Sequence, residues 1–240
     1  MPQRRRWLWE GLKRVGRPIP GVVPAWHWLQ HLWHTDTSPL YVPVPMNRDK
    51  WNDSYAQRKM DYLGELPELL RYSALAGLVH YFFPDEQSHI LDVGCGQGLF
   101  RHHLRYYPFD YYEGIDISDV AITEAQAAYQ HDARTVFHQG NVATYPCVGA
   151  TFHLVVFQEI LYYFEHPKAI VDRYVEALAP GGIMLLSLYQ DGPAKAMAIE
   201  QQLAEDYALL DKTTATSDMT GCSWCFYAYR PLHGKEKQCA

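Results

Sequence analysis

The sequence predicts an α/β fold built on a mostly parallel sheet. From His89 onward, short runs rich in β-branched and aromatic residues alternate with helical patterns. A turn with three glycines follows the first of those runs and opens the next helix. The chain has 240 residues, enough for one such domain with a full core and too few for a second large one.

The elements follow in order. Leu66 to Phe83 is long and apolar enough for a helix leading into the domain. Strands are expected at His89–Val93, Tyr111–Ile115, Thr135–His138, Phe152–Phe157 and Ile183–Leu188. Helices fit between them at Leu99–Tyr107, Val120–His131 and Pro167–Leu178. Strand–helix alternation implies parallel strands joined by right-handed crossovers. A helix near Ala194–Leu210 and two further strands, Thr213–Thr220 and Ser223–Tyr229, close the chain, with Gly221 at their turn. That closing pair can be antiparallel, giving a seven-stranded sheet with helices on both faces and an antiparallel last strand. No internal repeat is present.

The first 48 residues differ from residues 49–240. They are rich in Trp and Pro and read as a basic N-terminal extension or lid. Residues 1–17 hold Arg4, Arg5, Arg6, Lys13, Arg14 and Arg17 against Glu10 alone, a charge of +5. The whole chain is −6, so the remainder is −11. An acidic body argues against a nucleic-acid partner, because neutralising phosphates needs a Lys/Arg surface. The tail is compatible with weak contact to an anionic membrane surface or an acidic protein. The five cysteines, an odd number, and the lack of a signal-peptide pattern point to reduced thiols in the cytoplasm. No stretch approaches the roughly 20 apolar residues that cross a membrane. Composition says nothing about oligomeric state.

The strongest local signal is Ile90-Leu91-Asp92-Val93-Gly94-Cys95-Gly96-Gln97-Gly98. Glycine permits positive φ and close approach of a ligand. The helix that follows offers free N–H groups at its start. Asp116, 24 residues beyond Asp92, ends the second strand, where a carboxylate can accept hydrogen bonds from both hydroxyls of a ribose.

These residues resemble the first two motifs of class I S-adenosylmethionine-dependent methyltransferases, which have a Rossmann-like fold. Leu178-Ala179-Pro180-Gly181-Gly182 resembles the turn before their fifth strand. Gln158-Glu159-Ile160-Leu161-Tyr162-Tyr163 resembles the segment after strand four in small-molecule members, including relatives of nodulation N-methyltransferases. The resemblance runs from about Asp49 to Pro231 and implies S-adenosylmethionine as cofactor and a small-molecule acceptor. It implies that Gly94 and Gly96 admit the methionine end, Asp92 orients it, Asp116 holds the ribose and Ile117 packs on adenine. Gly140-Asn141-Val142 resembles the adenine-binding turn. The family more often has Asp where Asn141 stands, and an acidic residue where His153 stands.

Ligands of open α/β sheets sit beyond the carboxyl ends of the strands. Gln158, Glu159, Tyr162 and Tyr163 should therefore face the transferred methyl group. Glu159 is the candidate for binding or deprotonating an amine or hydroxyl, with Tyr162 beside it; the alternative for Glu159 is an acid capping the helix that follows. Tyr55, Tyr62, Arg71 and Tyr72 precede the first strand and are further pocket candidates. Arg71 could fork onto the cofactor's carboxylate or lie exposed on a helix face.

Other readings compete. A dinucleotide site would need a third glycine where Leu99 stands, and a dehydrogenase would need a substrate domain that the roughly 50 residues after strand five cannot supply. A protein or RNA methyltransferase would grip its substrate with the N-terminal extension. A non-catalytic scaffold would keep the cofactor pocket alone. No metal site is expected: Cys222 and Cys225 lie three apart on a strand and point to opposite faces. His27, His31 and His34 share a helical face without a completing ligand, and His166 reads as a surface residue at a helix start.

Overall fold

The computed structural model describes residues 47–84, 88–146, 151–190, 193–218 and 220–232, with backbone only for 193–195. The basic tail, the histidines at 27, 31 and 34 and the extension proposed for residues 1–48, but for its last two residues, lie outside the described residues.

Seven strands form one sheet: β1 (His89–Val93), β2 (Tyr111–Asp116), β3 (Thr135–Gln139), β4 (Phe152–Gln158), β5 (Leu178–Tyr189), β6 (Tyr207–Thr216) and β7 (Ser223–Pro231). Their spatial order is β3-β2-β1-β4-β5-β7-β6. β1 to β5 pair in parallel, and β7 runs antiparallel to both β5 and β6. β1 lies between β2 and β4, so the strand order reverses there and a crevice opens at the strands' carboxyl ends.

The helices are α1 (Arg48–Ala56), α2 (Leu66–Phe82), α3 (Leu99–His103), α4 (Asp119–Ala128), α5 (Pro167–Val175) and α6 (Pro193–Leu203). Their starts are written in the sequence. Asn47 caps α1 by accepting from the Lys50 amide, and Ser118 caps α4 by accepting from Ala121. Proline stands in the first turn of α2 and of α5.

Central strands of a sheet covered on both faces bury side chains of both parities. Ile90 and Val156 pack with α2, α3 and α4 through Leu75, Val79, Phe100 and Ile122. Leu91, Val93, Val155 and Phe157 pack with α5 and α6 through Ile170, Val171, Ile199 and Leu203.

The chain's end departs from the sequence expectation. The helix expected to reach Leu210 stops at Leu203, and the strand expected from Thr213 begins at Tyr207. Tyr207 pairs with Pro231 and is buried, so cross-strand pairing and core packing override a helical pattern. Similarly, β5 begins at Leu178 and α3 gives way at Leu104 to a 3₁₀ turn. Cys225 belongs to one core layer while Cys222, which precedes β7, packs against the other.

Candidate active site

Gly94, Gly96 and Gly98 all adopt positive φ, at 80°, 53° and 75°. This is the left-handed region where a Cβ is costly. The Gly94 and Cys95 amides both donate to the Ile115 carbonyl, at 2.8 and 3.0 Å, which folds the loop back over the end of β2. A Cβ on Gly94 would collide with the Ile160 side chain, and one on Gly96 would lie 2.7 Å from the Tyr55 hydroxyl oxygen.

The loop is tied to Asp116. The Gly96 amide donates to Asp116 Oδ2 at 2.9 Å, and the Ser118 amide donates to Oδ1 at 2.8 Å. A carboxylate has about four acceptor positions, so it can still accept from a ligand. Burial pushes the Asp116 carboxyl up, against the pull of the backbone amides of Ser118, Gly96 and Ile117. A carboxylate that can still accept and a cradle without side chains fit a nucleoside sugar carried on a small polar tail.

Asp92 lies at the root of the same loop and is fully buried. It accepts from Tyr112 Oη at 2.5 Å and Gln158 Nε2 at 3.0 Å. Burial pushes its carboxyl to about 6, with Tyr112, Gln158 and Arg71 opposing. Gln158 Oε1 in turn accepts from Arg71 Nη1 at 3.3 Å, and Arg71 Nε donates to Glu68 Oε2 at 2.8 Å. Arg71 is 3% exposed, so the alternative of a solvated helix-face arginine does not hold. Burial alone would lower its basicity, but Tyr72, Glu68 and Glu159 outweigh it.

Glu159 follows directly on β4 with φ +54°, rare for a residue with a side chain. The strain is offset by three donors. Ser187 Oγ donates to Oε1 at 2.8 Å, while the Tyr189 amide and Tyr162 Oη donate to Oε2 at 2.8 and 3.1 Å. Helix capping is not its role: the 3₁₀ turn that follows has Ile160 at its start and no side-chain cap. The carboxylate instead binds the carboxyl end of β5. Burial raises its pKa, opposed first by Arg71 and then by these donors.

The structure thus brings two hydrogen-bonded groups together beside the glycine loop, Asp92–Gln158–Arg71 and Glu159–Tyr162, with Arg71 and Glu159 close enough to attract each other. Ile117 is half-buried, and its carbonyl accepts from Gln139. Val142 is buried in the turn after β3, where the Gly140 amide bonds to the Asp116 carbonyl at 2.8 Å. Asn141 is exposed, and its Oδ1 accepts from the Ala143 amide at 2.9 Å, holding its own turn. His166 is exposed at the start of α5, as its sequence context indicated. His153 accepts from the His89 amide at the opposite, amino end of the sheet. Among the described residues, no group of three or more His, Cys, Asp or Glu is gathered to hold a metal, and no helix is long and apolar enough to cross a membrane.

Sequence reasoning did not single out α1 as a structural element. Asn52 Oδ1 accepts from Ser118 Oγ at 2.8 Å, its Nδ2 donates to Asp119, and Arg48 Nε donates to Asp119 at 3.0 Å. Trp51 meets Tyr163 edge-on, with centroids 5.3 Å apart. Tyr55 is buried with its hydroxyl over Gly96. One short helix therefore touches the glycine loop, the turn after β2 and the turn after β4. The Trp51–Tyr55 spacing of four was the available signal: both side chains fall on one helical face.

A family model described as a methyltransferase domain matches residues 68–223. Among curated proteins, the chain is 31% identical over 108 residues to a ubiquinone biosynthesis O-methyltransferase of Psychrobacter cryohalolentis, covering 43% of this chain and 42% of that one. It is 23% identical over 147 residues to a malonyl-[acyl-carrier protein] O-methyltransferase of Halalkalibacterium halodurans, covering 58% and 54%. The chain thus spans about half the length of these relatives. Among solved structures, the N-methyltransferase NodS of Bradyrhizobium japonicum, in complex with S-adenosylhomocysteine, superposes with a TM-score of 0.65 at 18% identity. That superposition covers 76% of this chain and 99% of NodS.

Proposed function

The chain belongs to the methyltransferase domain family, and on that premise we propose that it transfers a methyl group from S-adenosylmethionine to a nitrogen or oxygen of a small molecule. The observation that carries this reading is the Gly96 amide bonded to the Asp116 carboxylate beneath a loop of three left-handed glycines. Bound there, S-adenosylmethionine supplies a methyl group already activated on sulfur.

The residues around it have separate tasks. Asp116 offers its remaining acceptor capacity to the ribose hydroxyls. Gly94 and Gly96 keep the loop clear for the methionine end, and Arg71 neutralises carboxylate charge beside it. Ile117, Val142 and Asn141 would hold the adenine, the first two by apolar contact and Asn141 by a polar one. Asp92 acts from beneath, fixing Gln158 and through it Arg71. Glu159 and Tyr162 border the acceptor and hold or take its proton. Orientation of this kind contributes roughly 7–11 kcal/mol of barrier reduction, and a positioned base adds about 10²–10⁴-fold where the acceptor must lose a proton.

Calorimetry with S-adenosylhomocysteine tests the reading. Wild type should bind in the micromolar range, Asp116→Ala should lose at least a hundredfold, and Glu159→Gln should bind nearly as wild type. No heat with wild type would end this proposal.

A further inference from the structure

We infer that the methyl acceptor is an amine that arrives as a cation, held between the Glu159 carboxylate and the aromatic wall of Tyr162, Tyr163 and Trp51. This deepens the methyltransferase reading above and rests on it.

Charge balance supplies the first argument. Arg71, one guanidinium, forms a charged group with three carboxylates around it, Glu68, Asp92 and Glu159. Arg71 already serves that group: its Nε donates to Glu68 and its Nη1 to Gln158. The group is thus two negative charges in excess. S-adenosylmethionine carries one net positive charge, from a sulfonium and an ammonium against one carboxylate. One negative charge remains for the acceptor to meet. Buried charge without a counter-charge is expensive, so a cationic acceptor is favoured, a neutral alcohol leaves the deficit standing, and a carboxylate worsens it.

The shape of the site supplies the second argument. Glu159 Oε2 takes two donors and Oε1 takes one, which leaves an acceptor position on Oε1 for an N–H. The Tyr162 hydroxyl is spent on Glu159, so its ring, not its polar tip, is left for a ligand. Tyr162 and Tyr163 have ring centroids 4.8 Å apart, and Trp51 adds a third ring against Tyr163. Aromatic rings beside a carboxylate attract an ammonium by cation–π and ion-pair terms together. The location is right for transfer, because Ile160, the next residue, presses on Gly94 of the cofactor loop.

The chemistry balances. The ammonium gives one proton to the Glu159 carboxylate, which passes it to water. The freed nitrogen lone pair forms the new N–C bond while the bond from that carbon to sulfur breaks and sulfur keeps its pair. The product leaves as a methylated ammonium.

Incubating the protein with methyl-labelled S-adenosylmethionine and a small-molecule extract of its source organism tests this directly. The expected products carry label on nitrogen. Label found only in ethers or base-labile esters overturns the amine assignment while upholding methyl transfer. No labelled product at all overturns the methyltransferase reading and this inference with it. A binding readout stands beside turnover: protein saturated with S-adenosylhomocysteine should bind 3,3-dimethylbutylammonium at least tenfold more tightly than its neutral isostere 3,3-dimethylbutan-1-ol, and Glu159→Gln should abolish the difference. Equal binding of the two probes by wild type would also overturn the inference.

Discussion

The hydroxyl oxygen of Tyr55 occupies the space that a side chain on Gly96 would need, 2.7 Å from its Cβ position. The two residues are 41 positions apart, on α1 and on the loop after β1. The contact explains why the loop requires glycine twice over: φ is +53° and the space above is taken.

Gly96→Ala should therefore lose stability by about 1–3 kcal/mol from backbone strain and crowding, and cofactor affinity by at least tenfold. Adding Tyr55→Phe removes the crowding oxygen but not the strain. The double variant should recover part of the loss, measured by urea unfolding and calorimetry. No recovery would mean that Tyr55 does not press on the loop.

Asn52 and Arg48 both hold α1 to the start of α4, and they should differ in effect. The Arg48–Asp119 pair is about half-exposed on each side, so solvent screens it and it contributes little. Asn52 bonds both Ser118 and Asp119 in a part-buried place. Asn52→Ala should raise amide exchange across residues 48–56 severalfold, and Arg48→Ala should change it little, with the remaining difference insensitive to salt.

Arg71 is the counter-charge for Glu68, and the pair is nearly buried. Arg71→Ala leaves Glu68 and Glu159 without it and should cost about 3–5 kcal/mol in urea unfolding. Arg71→Lys keeps the charge but cannot reach Glu68 and Gln158 with a planar fork, so it should rescue stability only in part.

Asp92 sets a pH dependence. Its carboxyl is raised by burial from 3.8 to about 6. Between those values the folded chain keeps a proton that the unfolded chain has released. Folding stability from this group therefore falls as pH rises from about 4 to about 6, by roughly 3 kcal/mol, and is level above that. Asp92→Asn removes the titration. The stability of wild type relative to the variant should be higher at pH 4.5 than at pH 7, by urea unfolding at each pH; an unchanged difference would remove Asp92 as the source.

Much of the site was legible in the chain. Asp92, Gly94, Gly96 and Asp116 were readable because strand, turn and helix are local, and because glycine at positive φ leaves a direct mark in composition. The environment of Glu159 was not. Its donors Ser187 and Tyr189 lie 28 and 30 positions away, on a strand that becomes a neighbour only when β4 and β5 pair. Arg71 reads equally as a solvated or a buried residue until Gln158, 87 positions on, comes within reach. The end of the helix expected over Ala194–Leu210 differs for a related reason: Tyr207 to Leu210 is compatible with a helix by itself, and pairing to β7 makes it a strand.

The amino-acid order by itself determined the alternation of strands and helices, the glycine turn and the acids that flank it, since each depends on backbone preferences within a few residues. Only the tertiary structure decided which charges meet in the interior: that Arg71 is buried against Glu68, that Glu159 braces β5 instead of capping a helix, and that α1 lies across the loop. Those outcomes depend on desolvation and on partners distant in the chain, and burial exists only once the sheet and its helices have closed around them.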